Sequence, residues 1–123
     1  MGGKKTIRWR AEPEGDNYPA AESYLRLIFP LAMTRRLVQK LRRARISTFK
    51  AKDIFRASGL PLLGVSNAQF ERDRTKIKEG RKLSPLLLVR DPAHGKVVVA
   101  DGYHRLCAVY SFDEIAEIPC KIV

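Results

Sequence analysis

Asp101-Gly102-Tyr103-His104-Arg105 gathers an acid, a glycine, an imidazole and a guanidinium within five residues. The segment joins an apolar run, Val97-Val98-Val99-Ala100, to a helical pattern over 102–111. A strand that enters a helix through such a turn leaves the first helical N–H groups without acceptors. The helix dipole adds positive partial charge there, so the junction suits an anion such as phosphate. The same residues also fit a local role, with Asp101 as an N-cap, Gly102 as a sharp turn, and His104 and Arg105 as a solvated first turn.

The neighbouring elements must position this turn. Leu86 to Val89 is a continuous apolar run, the pattern of a strand covered on both faces. Asp91 to Lys96, with Pro92 and Gly95, predicts a hairpin loop in which His94 is a surface residue. A polar link at Asp113-Glu114 leads from the helix to a closing strand, Glu117 to Val123. Upstream, Asn67 is placed to cap a helix running to Lys78, with Phe70, Arg74 and Ile77 along one side and Gly80 as its stop. Residues 51–58 predict a short helix ended by Gly59 and Pro61, with Ile54 and Phe55 facing the core. That leaves Lys52, Asp53 and Arg56 toward solvent or the periphery of a site, a periphery to which Ser84 is also assigned, Asp53 and Arg56 being spaced for an ordinary surface ion pair. Leu60 to Val65 reads as an apolar loop.

Asp101-Gly102-Tyr103-His104-Arg105 resembles the Gly-x-x-Arg turn with which proteins of the ParB/sulfiredoxin-like family hold nucleotide phosphates. The resemblance extends over Ile77 to Arg90, similar to the family's short helix, Gly turn, Ser84-Pro85 and apolar strand, and into Glu117 to Val123. It covers roughly residues 50–123. It implies a mixed α/β (α+β) fold: a small mixed sheet with flanking helices, here with a basic N-terminal helical extension. Sulfiredoxins place a Cys directly before the His-Arg pair, where this sequence has Tyr103. A phenol cannot replace a thiolate in that chemistry, so sulfinic acid reduction is not expected. The helix-turn-helix and dimerisation segments of the chromosome-partitioning ParB proteins lie outside the resemblance, and centromere-like reading of DNA by them is not expected.

The resemblance implies binding of ATP or CTP. Gly102 would allow close backbone approach, Tyr103 and His104 would line the phosphates, and Arg105 would supply bidentate donors. Asp101 would hold a Mg²⁺ bridging phosphate oxygens. Relatives use the turn for nucleotide hydrolysis, which would make Asp101 and His104 the catalytic candidates of an NTPase. Others are described as nucleases, a chemistry for which Asp53, Asp91 and Asp101 would have to converge in space.

Charge points to a second anion-attracting region. The net charge is +11, and residues 1–50 hold twelve Lys/Arg against four Asp/Glu, while 51–123 hold twelve against nine. Such a field concentrates polyanions, DNA or RNA first and an acidic protein next, without sequence preference. Its centre is an amphipathic helix with Leu31, Met33, Leu37, Val38 and Leu41 on the apolar side and Arg35, Arg36, Lys40, Arg42, Arg43 and Arg45 between them. This helix could be a solvated face docked on the core, a phosphate-backbone contact, or a segment for a partner helix or membrane surface. A preceding helix starts at Pro19, with Tyr24, Leu25, Ile28 and Phe29 on one face, and ends before Pro30.

The expected organisation is an N-terminal arm (1–18), extended and poorly fixed by itself, a basic helical extension (19–49) and the ParB/sulfiredoxin-like domain (50–123). The helices of 19–49 need cover, from their own domain or from a second copy in a homodimer. Trp9, between Arg8 and Arg10, is expected to pin the arm to the surface rather than to stack on a base. The two cysteines, Cys107 and Cys120, form no disulfide framework and lack metal-ligand spacing, so each is expected to pack as a small hydrophobe. No apolar run is long enough to span a membrane and no signal-like segment opens the chain, so no membrane partner and a cytoplasmic address are expected.

Overall fold

The apolar run at 86–89 becomes β2 (Leu86–Asp91), a strand buried on both sides. The structure, a computed structural model, describes residues 6–62 and 67–123. β1 (Ser47–Lys50), β2, β3 (Lys96–Asp101) and β4 (Glu117–Ile122) form one sheet in the order β1-β4-β2-β3. β4 runs antiparallel to β1 and parallel to β2, and β2 pairs antiparallel with β3. The sheet is therefore mixed and the fold is α+β.

The alternation of β2 decides the layering, because successive side chains point to opposite faces. Leu86 and Leu88 join a core formed with α3 (Ala51–Ser58), α4 (Ala68–Lys78) and α5 (Tyr103–Phe112). Leu87 and Val89 join a second core beneath α1 (Asn17–Leu25) and α2 (Leu31–Arg43). Each of these four side chains is almost wholly buried, which is worth roughly 2 kcal/mol apiece in transfer from water. The basic N-terminal helices thus cover the sheet of their own chain, and residues 47–50 beyond them form edge strand β1.

Helix boundaries follow local chemistry. The Asn67 side chain accepts the Phe70 N–H at 2.9 Å, the cap expected for α4. Gly59 stops α3 in the left-handed conformation, and Pro30 separates α1 from α2. A turn at Pro92–His94 closes the β2–β3 hairpin, where exposed His94 pairs with Asp91 at 2.9 Å, a partner the sequence did not suggest.

Two expectations fail. On α1 the buried residues are Tyr18, Ala21 and Leu25, while Tyr24 and Ile28 are exposed. On α2 they are Thr34, Val38 and Leu41, while Leu31 and Met33 lie outside. Thr34 can replace an aliphatic residue on the buried face because its hydroxyl donates to the Phe29 carbonyl at 3.2 Å. The arm, expected to be poorly fixed by itself, is fixed within its described part by other elements. Trp9 bridges Leu83, with Arg10 N–H donating to the Leu83 carbonyl at 2.8 Å and Leu83 N–H to that of Arg8 at 2.9 Å. Glu12 pairs at 3.1 Å with buried Lys121 of β4, whose ammonium also donates to the Arg42 carbonyl. The isolated sequence of the arm shows no periodicity because the partners of Trp9, Arg10 and Glu12 are distant in sequence.

Candidate anion-binding site

β3 delivers Asp101 to the sheet edge, and Gly102 turns the chain into α5 with φ +109°. A Cβ at Gly102 would lie 2.8 Å from both Leu86 Cγ and an Arg105 guanidinium nitrogen. Here the missing side chain is used by the protein itself, since Leu86 and Arg105 close over the turn. The N-cap of α5 is Gly102, not Asp101, and no side chain caps the helix. The orphan N–H groups of its first turn are therefore left to water or a ligand.

Asp101 instead pairs with Arg105 one helical turn on, at 3.0 Å, with side-chain exposures of 18% and 16%. The same Arg105 nitrogen reaches the Pro85 carbonyl at 3.4 Å, while Arg105 Nε is buried without a hydrogen-bond partner. Arg105 is thus held in place, with part of its donor set already committed.

Two concavities meet at this turn and share Asp101, Gly102 and His104. The first, about 440 Å³, has an apolar wall of Tyr24, Leu60 and Tyr103. The second, about 310 Å³, is polar and adds Gln69, Asp73 and Arg105. The Tyr103 hydroxyl donates to the Pro61 carbonyl, and its ring lies 5.8 Å from that of His104. Burial, with Cys107 beside it, pushes the Tyr103 phenol up from its ordinary value and keeps it neutral.

Asp73 belongs to the site and was not singled out from the sequence. It is 2% exposed, receives a long hydrogen bond from Gln69 at 3.4 Å, and has one carboxylate oxygen buried without a partner. Burial raises its pKa, and the nearby Arg105, Gln69, Lys76 and His104 only partly offset that. A sequence signal exists: Phe70, Asp73 and Ile77 fall on one helical face, so the acid lies on the stripe that α4 buries. Tyr24 was missed as a wall residue because its spacing suited the core.

The other candidates lie elsewhere. Ser84 is buried, accepts the Glu14 N–H at 3.0 Å and donates to Asn17, so it anchors the arm and lines neither concavity. Asp53 pairs with Lys52 at 2.9 Å, not with Arg56, and lines a crevice with Phe49, Leu88 and Arg90. The neighbouring residue is within reach of Asp53, and Arg56 extends into solvent from the next turn. Asp91 is at the hairpin with His94, so Asp53, Asp91 and Asp101 occupy three separate places. Among the described residues no three His, Cys, Asp or Glu side chains form a metal-holding group.

The six basic candidates of the α2 region, Arg35, Arg36, Lys40, Arg42, Arg43 and Arg45, are all exposed. Arg42 also covers the Tyr18 ring at 4.5 Å. Both cysteines are buried, and burial pushes the Cys120 thiol up to about 12. Among the described residues, no helix is long and apolar enough to cross a membrane. Compared with protein-family models, with curated proteins and with solved structures, the chain matches none.

Proposed function

We propose that the protein is a ParB/sulfiredoxin-like nucleotide-binding protein that holds the phosphates of ATP or CTP at the turn into α5 and acts with nucleic acid. The observation that carries this reading is the meeting of an uncapped helix N-terminus with a concavity of about 440 Å³ walled by Tyr24, Leu60 and Tyr103. A nucleotide has the same two halves, an anion and a flat apolar ring.

The residues divide the work. The first N–H groups of α5 and the side chain of His104 meet phosphate oxygens, while the tyrosines and Leu60 pack against the base or sugar. Asp101 and Asp73 would repel an unaccompanied phosphate, so the nucleotide would be bound together with Mg²⁺. Among the described residues no three-residue metal group exists, so Asp101 is the residue that would hold such an ion, which would supply charge neutralisation at the phosphates. Asp101 and His104 would orient a hydrolytic water, making an NTPase the enzymatic form of this proposal. A metal-dependent nuclease is less well supported, because its three candidate carboxylates are dispersed.

The nucleic-acid half rests on the exposed cations of α2 and its flank. The deciding experiment titrates ATP, CTP and GTP with Mg²⁺ calorimetrically into wild type, His104→Ala, Arg105→Ala and a variant with Arg35, Arg36, Lys40 and Arg43 changed to Gln. Nucleotide binding is expected to weaken at least tenfold in the first two variants and to be unchanged in the third, with DNA binding showing the reverse. Absence of heat with all three nucleotides on folded wild-type protein sinks the proposal. Phosphate release in the same samples reads turnover.

A further inference from the structure

We infer that the corner between α1 and α2 is a docking surface for an acidic amphipathic helix of a partner protein. Five of the seven exposed large hydrophobic side chains among the described residues fall within residues 24–33: Tyr24, Leu27, Ile28, Leu31 and Met33. Scattered exposed hydrophobes are ordinary, whereas a concentration at one corner marks an interaction site. Leu27, 82% exposed, projects furthest.

The backbone of the corner is closed by its own hydrogen bonds, which present these side chains outward. Leu27 N–H donates to the Tyr24 carbonyl at 3.1 Å, and Ile28 and Phe29 N–H donate to that of Leu25 at 2.9 and 2.8 Å. Leu25 is itself buried, and Thr34 ties the far side to Phe29. A pre-organised apolar surface loses little entropy when a partner covers it.

Charge selects the partner. Residues 23–52 contain nine Lys or Arg and no Asp or Glu. Arg26, Arg35 and Arg36, all exposed, belong to the corner or the turn beyond it. A partner must therefore offer apolar side chains and negative charge together, which an amphipathic helix with leucines on one face and glutamates around them does. A nucleic-acid backbone satisfies the cations but gains nothing from four exposed aliphatic side chains, and a second copy would bring cations against cations. The corner is separate from the α5 turn except for Tyr24, which borders both.

The test uses a fluorescein-labelled model helix with Leu at i, i+3, i+4 and i+7 and Glu elsewhere, followed by anisotropy against the full chain. Saturable binding is expected, weakened at least tenfold by the double variant Leu27→Ser/Ile28→Ser and weakened again by raising salt. Circular dichroism checks that the variant is folded; Tyr24→Ser supplies a second probe of the same surface. Any of four results overturns the inference: no binding at about 1 mM protein, equal binding of a peptide with Gln in place of Glu, unchanged binding by the double variant, or a wild-type dimer in sedimentation that Leu27→Ser/Ile28→Ser dissolves. Phosphatidylglycerol vesicles and a DNA duplex serve as competitors. If either binds more tightly than the peptide and loses that affinity in the double variant, the partner class is wrong.

Discussion

Positive charge is used in opposite ways in two regions of this molecule. On α2 and its flank the cations stand in solvent, while Arg105 in α5 and Lys121 in β4 are largely buried and each is assigned a carboxylate. Exposed charges create a field that salt can screen and contribute little to folding. Buried ones pay a desolvation penalty and in return fix geometry: Arg105 ties Asp101 across the α5 turn, and Lys121 ties the N-terminal arm to the sheet. Capture of polyanions and architecture of the site should therefore respond to different substitutions.

The largest effect is expected from Gly102→Ala. At φ +109°, with Leu86 and Arg105 2.8 Å from the new methyl group, the substitution is expected to cost about 2–4 kcal/mol in urea denaturation and to weaken ligand binding at the turn. Gly15→Ala, where nothing lies within 4 Å, is the control and should stay within about 0.5 kcal/mol. Equal stability of the two variants would remove the distinction between a built turn and an ordinary loop.

Asp73→Asn sharpens the comparison through pH. Because burial raises the native Asp73 pKa above 3.8, ionisation is harder in the folded chain than in the unfolded one. The wild type therefore loses stability as pH rises from the ordinary carboxylate value through the raised one, a loss that the Asn variant avoids. Denaturation midpoints should coincide near pH 3 and diverge in favour of Asp73→Asn toward neutrality. Divergence in the opposite direction would mean that Asp73 is held ionised by its cationic neighbours.

The smallest effect on folding is expected from changing Arg35, Arg36, Lys40 and Arg43 to Gln, within about 0.5 kcal/mol in the same measurement. On duplex DNA the variant should bind more weakly and show a shallower dependence on salt concentration. A large loss of stability would show that the exposed face is also architectural.

Elements whose partners lie nearby were the legible ones. The Asn67 cap, the Gly59 stop, the hairpin and the doubly buried β2 each write their conformation into a few adjacent residues. Features set by distant partners were not. The buried faces of α1 and α2 are chosen by the sheet beneath, which admits Thr34 and leaves Leu31 outside. Lys121 on β4 is buried because Glu12 and the Arg42 carbonyl, both distant in sequence, meet its ammonium. The α5 turn was visible as five adjacent residues, but its walls come from α1, α4 and the segment after α3, so Tyr24, Asp73 and Leu60 were not.

The place of β4 in the sheet has a consequence for how the chain is made. Synthesis produces β1, β2 and β3 before β4, yet β4 lies between β1 and β2. Until residues 117–122 leave the ribosome, β1 has no strand beside it, and the two helical layers have only the β2–β3 hairpin as a floor. The helices can already pack on that hairpin and on one another, so what β4 adds on inserting is the pairing of β1 and the burial of Ile118 and Cys120 in a core that is otherwise laid down.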